Sequence, residues 1–266
     1  MTSNLYEAAY QCIMCCDVNN KLELTSKYEK LWKSDDLGLH DNSAAVKIIN
    51  PGRPVKPELV TPDKLPRRGM GTPQGRIILM HAIAHIEFNA LNLAWDAVYR
   101  FRDLPREYYS DWIRVAREEA RHFSMIRAWL EQHGSFYGEY AAHDGLWHMA
   151  IQTMDDSLIR MALIPRVFEA RGLDVTPDMI KGLANHGAYE VAEILQQIYE
   201  DEIGHVHIGS SWFEFLCEQR KIKSDVTFQE ILREYQPVFI KNKLNKPARR
   251  QAGFSDSELT MIENIT

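Results

Sequence analysis

A chain of 266 residues with 45% hydrophobic content is long enough to bury a large core, and its net charge of −6 gives no general attraction to nucleic acid or an anionic membrane. No uncharged apolar run reaches membrane-span length, and no basic-then-apolar leader opens the chain, so a cytoplasmic protein without a membrane partner is expected. Cys12, Cys15 and Cys16 cluster and Cys217 stands alone; no second Cys/His pair at finger spacing follows Cys12-x-x-Cys15, so the cluster reads as small hydrophobes buried on an N-terminal helix rather than zinc ligands.

Residues 3–33 have helical periodicity without breakers and predict one or two helices packed outside a main bundle. From residue 34 to 75 the texture changes, with Pro51, Pro54, Pro57, Pro62, Pro66 and Pro73 interleaved with glycines. That density excludes helix and favours extended segments, expected to lie over the bundle surface because a free loop of that length is unusual. Thr72-Pro73 then opens helix one, which runs to about Phe101. Helix two spans about 105–133 and stops at Gly134; helix three spans about 146–171 and stops at Gly172. Thr176-Pro177 is expected to start a short helix to about Asn185, and helix four covers about 188–220. A short amphipathic helix near 227–235 and a basic tail follow. The division is thus 1–75 as an N-terminal helical and Pro-rich extension, 76–220 as a bundle, and 221–266 as a C-terminal extension.

Two tetrads stand out on these helices: Glu119-Ala120-Arg121-His122 and Glu202-Ile203-Gly204-His205. Residues i and i+3 share a helix face, so each tetrad can offer a carboxylate and an imidazole to one metal. Glu87 precedes Glu119 by 32 residues, and Glu169 precedes Glu202 by 33. The order Glu, Glu-x-x-His, Glu, Glu-x-x-His is the ligand set with which a four-helix bundle holds two metals. From Glu119 to Glu169 is 50 residues, and residues 135–144 could span about 33 Å if extended, the length of about twenty helical residues. The expected fold is therefore all-α: a ferritin-like four-helix bundle with one long crossover, plus N-terminal helices and a wrapping Pro-rich segment.

Glu87 shares its helix face with Ile83, Ala84, Ala90, Leu91 and Ala94, an apolar setting that a carboxylate tolerates only beside a countercharge. Glu169 lies four residues after Pro165, which cannot donate to the Met161 carbonyl, so a kink or bulge is expected beside it. Glu118 and Asp201, each one residue before a tetrad Glu, are candidates to accept the second ring N–H of a ligating histidine. His81 and His85 lie about 120° and 200° around the helix from Glu87. With Asn89, Asn92 and Asp96 they form a separate polar stripe expected to face water or a partner, with support of the ligands from behind as the alternative for His85. His207 is on the wrong side of helix four to join His205.

The segments Pro51-Gly-Arg-Pro54, His81-Ala-Ile-Ala-His85-Ile-Glu87-Phe-Asn89, Glu118-Glu-Ala-Arg-His122, Ala142-His-Asp-Gly-Leu146-Trp, Pro165-Arg-Val-Phe-Glu169 and Asp201-Glu-Ile-Gly-His205 carry a family resemblance. From about Pro51 to Arg220 the chain resembles an uncharacterised bacterial family of ferritin-like proteins. The resemblance implies a dimetal bundle and no established reaction. More remotely, the ligand pattern is similar to that of di-iron hydroxylases, including a tRNA-modifying one.

Carboxylate and imidazole ligands with open positions suit two iron ions, manganese being the alternative, better than a closed zinc site. The expected function is O₂ activation to oxidise or hydroxylate a small molecule, with electrons from an external donor because no flavin or nicotinamide motif is visible. Ferroxidase or iron-handling activity is the alternative, as is a metal-binding module without catalysis. Lys241, Lys243, Lys246, Arg249 and Arg250 form a basic run, thin support for an RNA substrate in an acidic chain. A homodimer is left open.

Overall fold

The computed structural model describes residues 4–40, 43–235 and 243–265. It is all-α, with no strand among the described residues and two isolated bridges, Asn4 to Gly38 and Leu59 to Ala142. The chain divides into two compact units, Met1–Ile151 and Gln152–Thr266.

In the first unit, α1 (Leu5–Met14) and α2 (Val18–Lys33) are separated at Asp17, whose carboxylate caps α2 by accepting from Asn20 N–H. Helix α3 (Pro73–Arg100) starts at Pro73 behind its cap Thr72, and α4 (Arg106–Gln132) packs against it after a five-residue connection. A short α5 (Gly145–Gln152) ends at the unit boundary. Helix α3 is long and apolar enough to cross a membrane by length and composition, but 78% of its apolar window is buried inside the protein, as in a core helix.

The Pro-rich segment is pinned to this unit along its length. Gly52 N–H donates to the Ile13 carbonyl and Trp147 Nε1 to that of Ile49, while at the Leu59 bridge Val60 N–H donates to the Ala142 carbonyl and Ala142 N–H to that of Glu58. At Gly52 the strap crosses the end of α1 so closely that a Cβ would lie 2.2 Å from the Met14 carbonyl oxygen. The cysteines divide: Cys12 is buried as expected, whereas Cys15 and Cys16 follow the end of α1, where Cys15 is half-buried and Cys16 exposed; Cys217 is buried.

In the second unit the structure corrects helix three. No helix runs unbroken from 146 to 171: after α5 the chain turns, and Asp156 caps a new helix, α6 (Ser157–Leu163). This passes into a π-helical segment, Ile164–Glu169, and on into α7 (Ala170–Asn185) without stopping at Gly172 or restarting at Pro177. Gly172 does not stop the helix because nothing there requires left-handed backbone; its Cβ position opens onto empty space. Pro177 is tolerated mid-helix because the carbonyl it leaves unpaired, that of Leu173, accepts from the Asn245 side chain at 3.0 Å.

Gly187, at φ +72°, turns the chain into α8 (Tyr189–Arg220), which packs against α6 and α7. Helices α9 (Ser224–Tyr235), α10 (Lys246–Gln251) and α11 (Asp256–Ile265) complete the unit. The basic run is partly neutralised here: Lys246 pairs with Glu263, Arg249 with Asp174 and Arg250 with Asp256, while Lys241 lies outside the described residues.

Helix α8 meets the π segment where Gly209 faces Pro165; a Cβ on Gly209 would come within 2.2 Å of the Pro165 ring. Gly209→Ala should therefore cost about 1–3 kcal/mol through overpacking. Gly172→Ala should be neutral or stabilising by up to about 1 kcal/mol, as alanine is in an unhindered helix interior. Urea denaturation of both variants decides this, and a destabilised Gly172→Ala would contradict the continuous helix.

Candidate metal centre

Three of the six expected ligands come together in the first unit. Glu87 lies on α3 and Glu119 and His122 on α4, and their ligand atoms lie within 4.8 Å of one another. All three are inside the core, at 4%, 0% and 0% exposure. The pairing of α3 with α4 brings them together, because the i,i+3 pair on α4 presents its shared face toward Glu87. His122 Nδ1 is 3.1 Å from Glu87 Oε2 and 3.5 Å from Glu119 Oε2.

The electrostatics show what this cluster lacks. Burial alone would lower the His122 pKa, but the hydrogen bonds and charges of Glu119 and Glu87 outweigh it and push it up to about 11. A proton on Nδ1 thus answers part of the charge of two buried carboxylates. A dication would answer all of it and take the same nitrogen as ligand. Two carboxylates and one imidazole are also a suitable donor set for iron or manganese. The triad therefore fits a metal ion.

In the second unit, Glu202 and His205 lie on α8, with His205 Nδ1 3.5 Å from Glu202 Oε1; His205 is fully buried and Glu202 half-buried. Glu169 is the half-buried last residue of the π segment. Among the described residues these three do not close into a triad as tight as the first. Pro165 has the effect its missing N–H implies: the helix widens, and Ala170 N–H, next to Glu169, donates to the Pro165 carbonyl five residues back. Glu118 and Asp201 are both half-buried beside their tetrads, and His207 is exposed on α8.

The polar stripe of α3 is not hydrated. His81, His85, Asn89, Asn92 and Asp96 are all buried, because α1, α2 and the segment after α4 cover that face. His81 Nε2 accepts from Gly138 N–H at 2.8 Å, so it anchors the 138–140 turn as a neutral ring; burial lowers its pKa to about 4. His85 Nε2 meets the His143 carbonyl at 3.2 Å and must donate there, which leaves Nδ1 to accept from the Tyr137 hydroxyl at 2.9 Å. Burial lowers the His85 pKa to about 4 as well. Asn92 accepts from Lys21, a wholly buried lysine of α2 that also binds the Cys12 and Ile13 carbonyls, and burial lowers the Lys21 pKa to about 8.

Tyr137 is a residue that the sequence reading missed. Its ring packs edge-on against Phe123 at 5.0 Å and tilted against Phe88 at 5.6 Å, the neighbours in sequence of His122 and Glu87. It also stacks on His81 and His85 and so covers the polar stripe of α3. The apolar tone of Ser135-Phe136-Tyr137-Gly138 hinted at burial but not at which helix face it would cover.

A family described as a protein of unknown function, DUF455, matches residues 14–260. An uncharacterized protein of Haemophilus influenzae is 41% identical over 262 residues, covering 96% of this chain and 88% of that protein. No solved structure matches the chain. The family match takes in α2 through α10 and the first half of α11, including the segments that bear the Glu and His residues.

Because His122 is protonated below about pH 11 in the metal-free protein, a metal must displace that proton to bind Nδ1. Apparent affinity should rise about tenfold per pH unit near neutrality, with about one proton released per ion at this triad. Titration calorimetry in buffers of different ionisation enthalpy counts the proton. A pH-independent affinity would remove Nδ1 from the ligand set.

Proposed function

We propose that this chain, which belongs to the DUF455 family, is a dinuclear metalloprotein, with iron as its metal, that activates O₂ to oxidise or hydroxylate a small organic substrate. The observation that carries the reading is the buried Glu87, Glu119 and His122 triad, with ligand atoms within 4.8 Å. The second ion is assigned to Glu169, Glu202 and His205 by the recurrence of the Glu, Glu-x-x-His order at nearly the same spacing. Ferritin-like ancestry is part of the same proposal.

Bound iron would supply electrons to O₂. The chain's own residues do the rest. Glu87 and Glu119 provide the negative charge that favours metal cations, and His122 gives up its proton on binding. The deep burial of Glu87, Glu119 and His122 keeps water from the ligands. Exclusion of water strengthens every electrostatic interaction inside the site and protects reactive species from side reactions. A small substrate is favoured over RNA because Lys246, Arg249 and Arg250 already have acidic partners. Electrons are proposed to come from a separate donor.

Anaerobic reconstitution with ferrous iron should give about two ions per chain, followed by rapid O₂ uptake limited to the bound iron. His122→Ala and His205→Ala should each lose at least one ion, whereas His207→Ala should keep both. His85→Ala should also keep both, at a stability cost of about 1–3 kcal/mol from the buried Tyr137 hydroxyl it strands. Turnover of many iron equivalents into a ferric mineral would establish iron handling instead. Tight binding without O₂ uptake would establish a binding module, and one ion or fewer would sink the dinuclear reading.

A further inference from the structure

Arg166 is the third residue of the π segment and is 1% exposed. Its guanidinium lies over the rings of Phe213, Phe228 and Phe254 at 4.6, 4.2 and 4.7 Å. One nitrogen, NH2, donates to Glu258 Oε1 at 2.7 Å, and Glu258 is also buried. The other Glu258 oxygen accepts from Ser255 N–H at 2.9 Å, while Ser255 Oγ accepts from Glu258 N–H at 3.2 Å. That reciprocal pair is a capping box, so the carboxylate is fixed to the start of α11 and cannot follow Arg166 if the segment slides.

A buried ion pair among three phenylalanines is a poor way to gain stability, since apolar residues of the same volume would do as well or better. What it gives is register. On one side the Pro165 ring fits against Gly209, and on the other Arg166 is held by Glu258, so the widened turn is gripped at two successive residues. Collapse of the extra π residue would rotate all that follows by about 100°, one residue's turn of an α-helix. Glu169 is the first acidic residue to be carried away.

We propose that α11, through Glu258 and Arg166, is a clasp that holds the π-helical register and so sets the direction in which Glu169 is presented. The role of Glu169 as a ligand rests on the function proposed above; the clasp itself does not. Arg166 and Glu258 are positioning residues. Their counterpart for comparison is Arg249–Asp174, an equally buried pair at 2.7 Å that ties α10 to α7 beyond the π segment.

The test compares the double variant Arg166→Met, Glu258→Gln with Arg249→Met, Asp174→Asn. Glutamine keeps the capping box and methionine fills the apolar cage, so the first variant should fold. In metal-free protein, amide exchange in residues 164–170 should accelerate at least about tenfold in the first variant and not in the second. Affinity for one of the two ferrous ions should fall about 10–100-fold in the first variant only, as for other residues that orient ligands from behind. Unchanged exchange, or an equal rise in both variants, would overturn the clasp. Faster exchange with both ions held at wild-type affinity would overturn its link to Glu169. Failure of the wild type to bind a second ion would sink the dinuclear reading, while the exchange result would still decide the clasp.

Discussion

The constraint on which the first unit depends is the burial of two carboxylates, Glu87 and Glu119, beside a single imidazole. Taking a carboxylate out of water costs several kcal/mol unless a countercharge and hydrogen bonds meet it. Here a proton on His122 meets part of that cost, and the nearly complete burial of all three side chains keeps the cost high. A cluster of this kind could hold a metal ion. It also explains why α3 combines the hydropathy of a membrane helix with ionisable residues on its inner faces.

Around that centre the first unit has a second polar layer. The N-terminal helices and the segment after α4 cover the face of α3 that bears His81, His85, Asn89, Asn92 and Asp96. Most of these groups find local partners: His81 in the 138–140 turn, His85 in Tyr137 and His143, Asn89 in the His85 carbonyl, the Asn92 side-chain oxygen in Lys21, and Asp96 in Arg100 at 2.6 Å. Such a layer contributes modestly to stability, because its groups exchange water for protein partners. It is specific, however, since any slip of register would leave several buried groups unmatched.

The second unit solves a different problem, a helix with two prolines in its interior. At Pro165 the helix widens into a π turn; at Pro177 it stays regular because Asn245 reaches in from the C-terminal segment to take the freed carbonyl. The residues after α8 are thus part of the mechanical support of the helix that carries Glu169. Arg249–Asp174 and Arg166–Glu258 make the same connection by charge.

The sequence by itself determined the all-α class, the limits of α3, α4 and α8 to within a residue or two, and the recurrent Glu, Glu-x-x-His spacing. These are local properties: capping residues, apolar periodicity and i,i+3 spacing act within one helix. It also placed an irregularity beside Glu169, because a proline's missing N–H affects a carbonyl four residues away in the same chain. Only the tertiary structure decided the rest. Whether the His81–Asp96 stripe met water or protein depended on what packed over it, and helical angles fix direction, not cover. Whether Pro177 began a helix or lay inside one depended on Asn245, 68 residues later. The π register, too, was decided by contacts outside its own helix: Gly209 on α8 and Glu258 on α11.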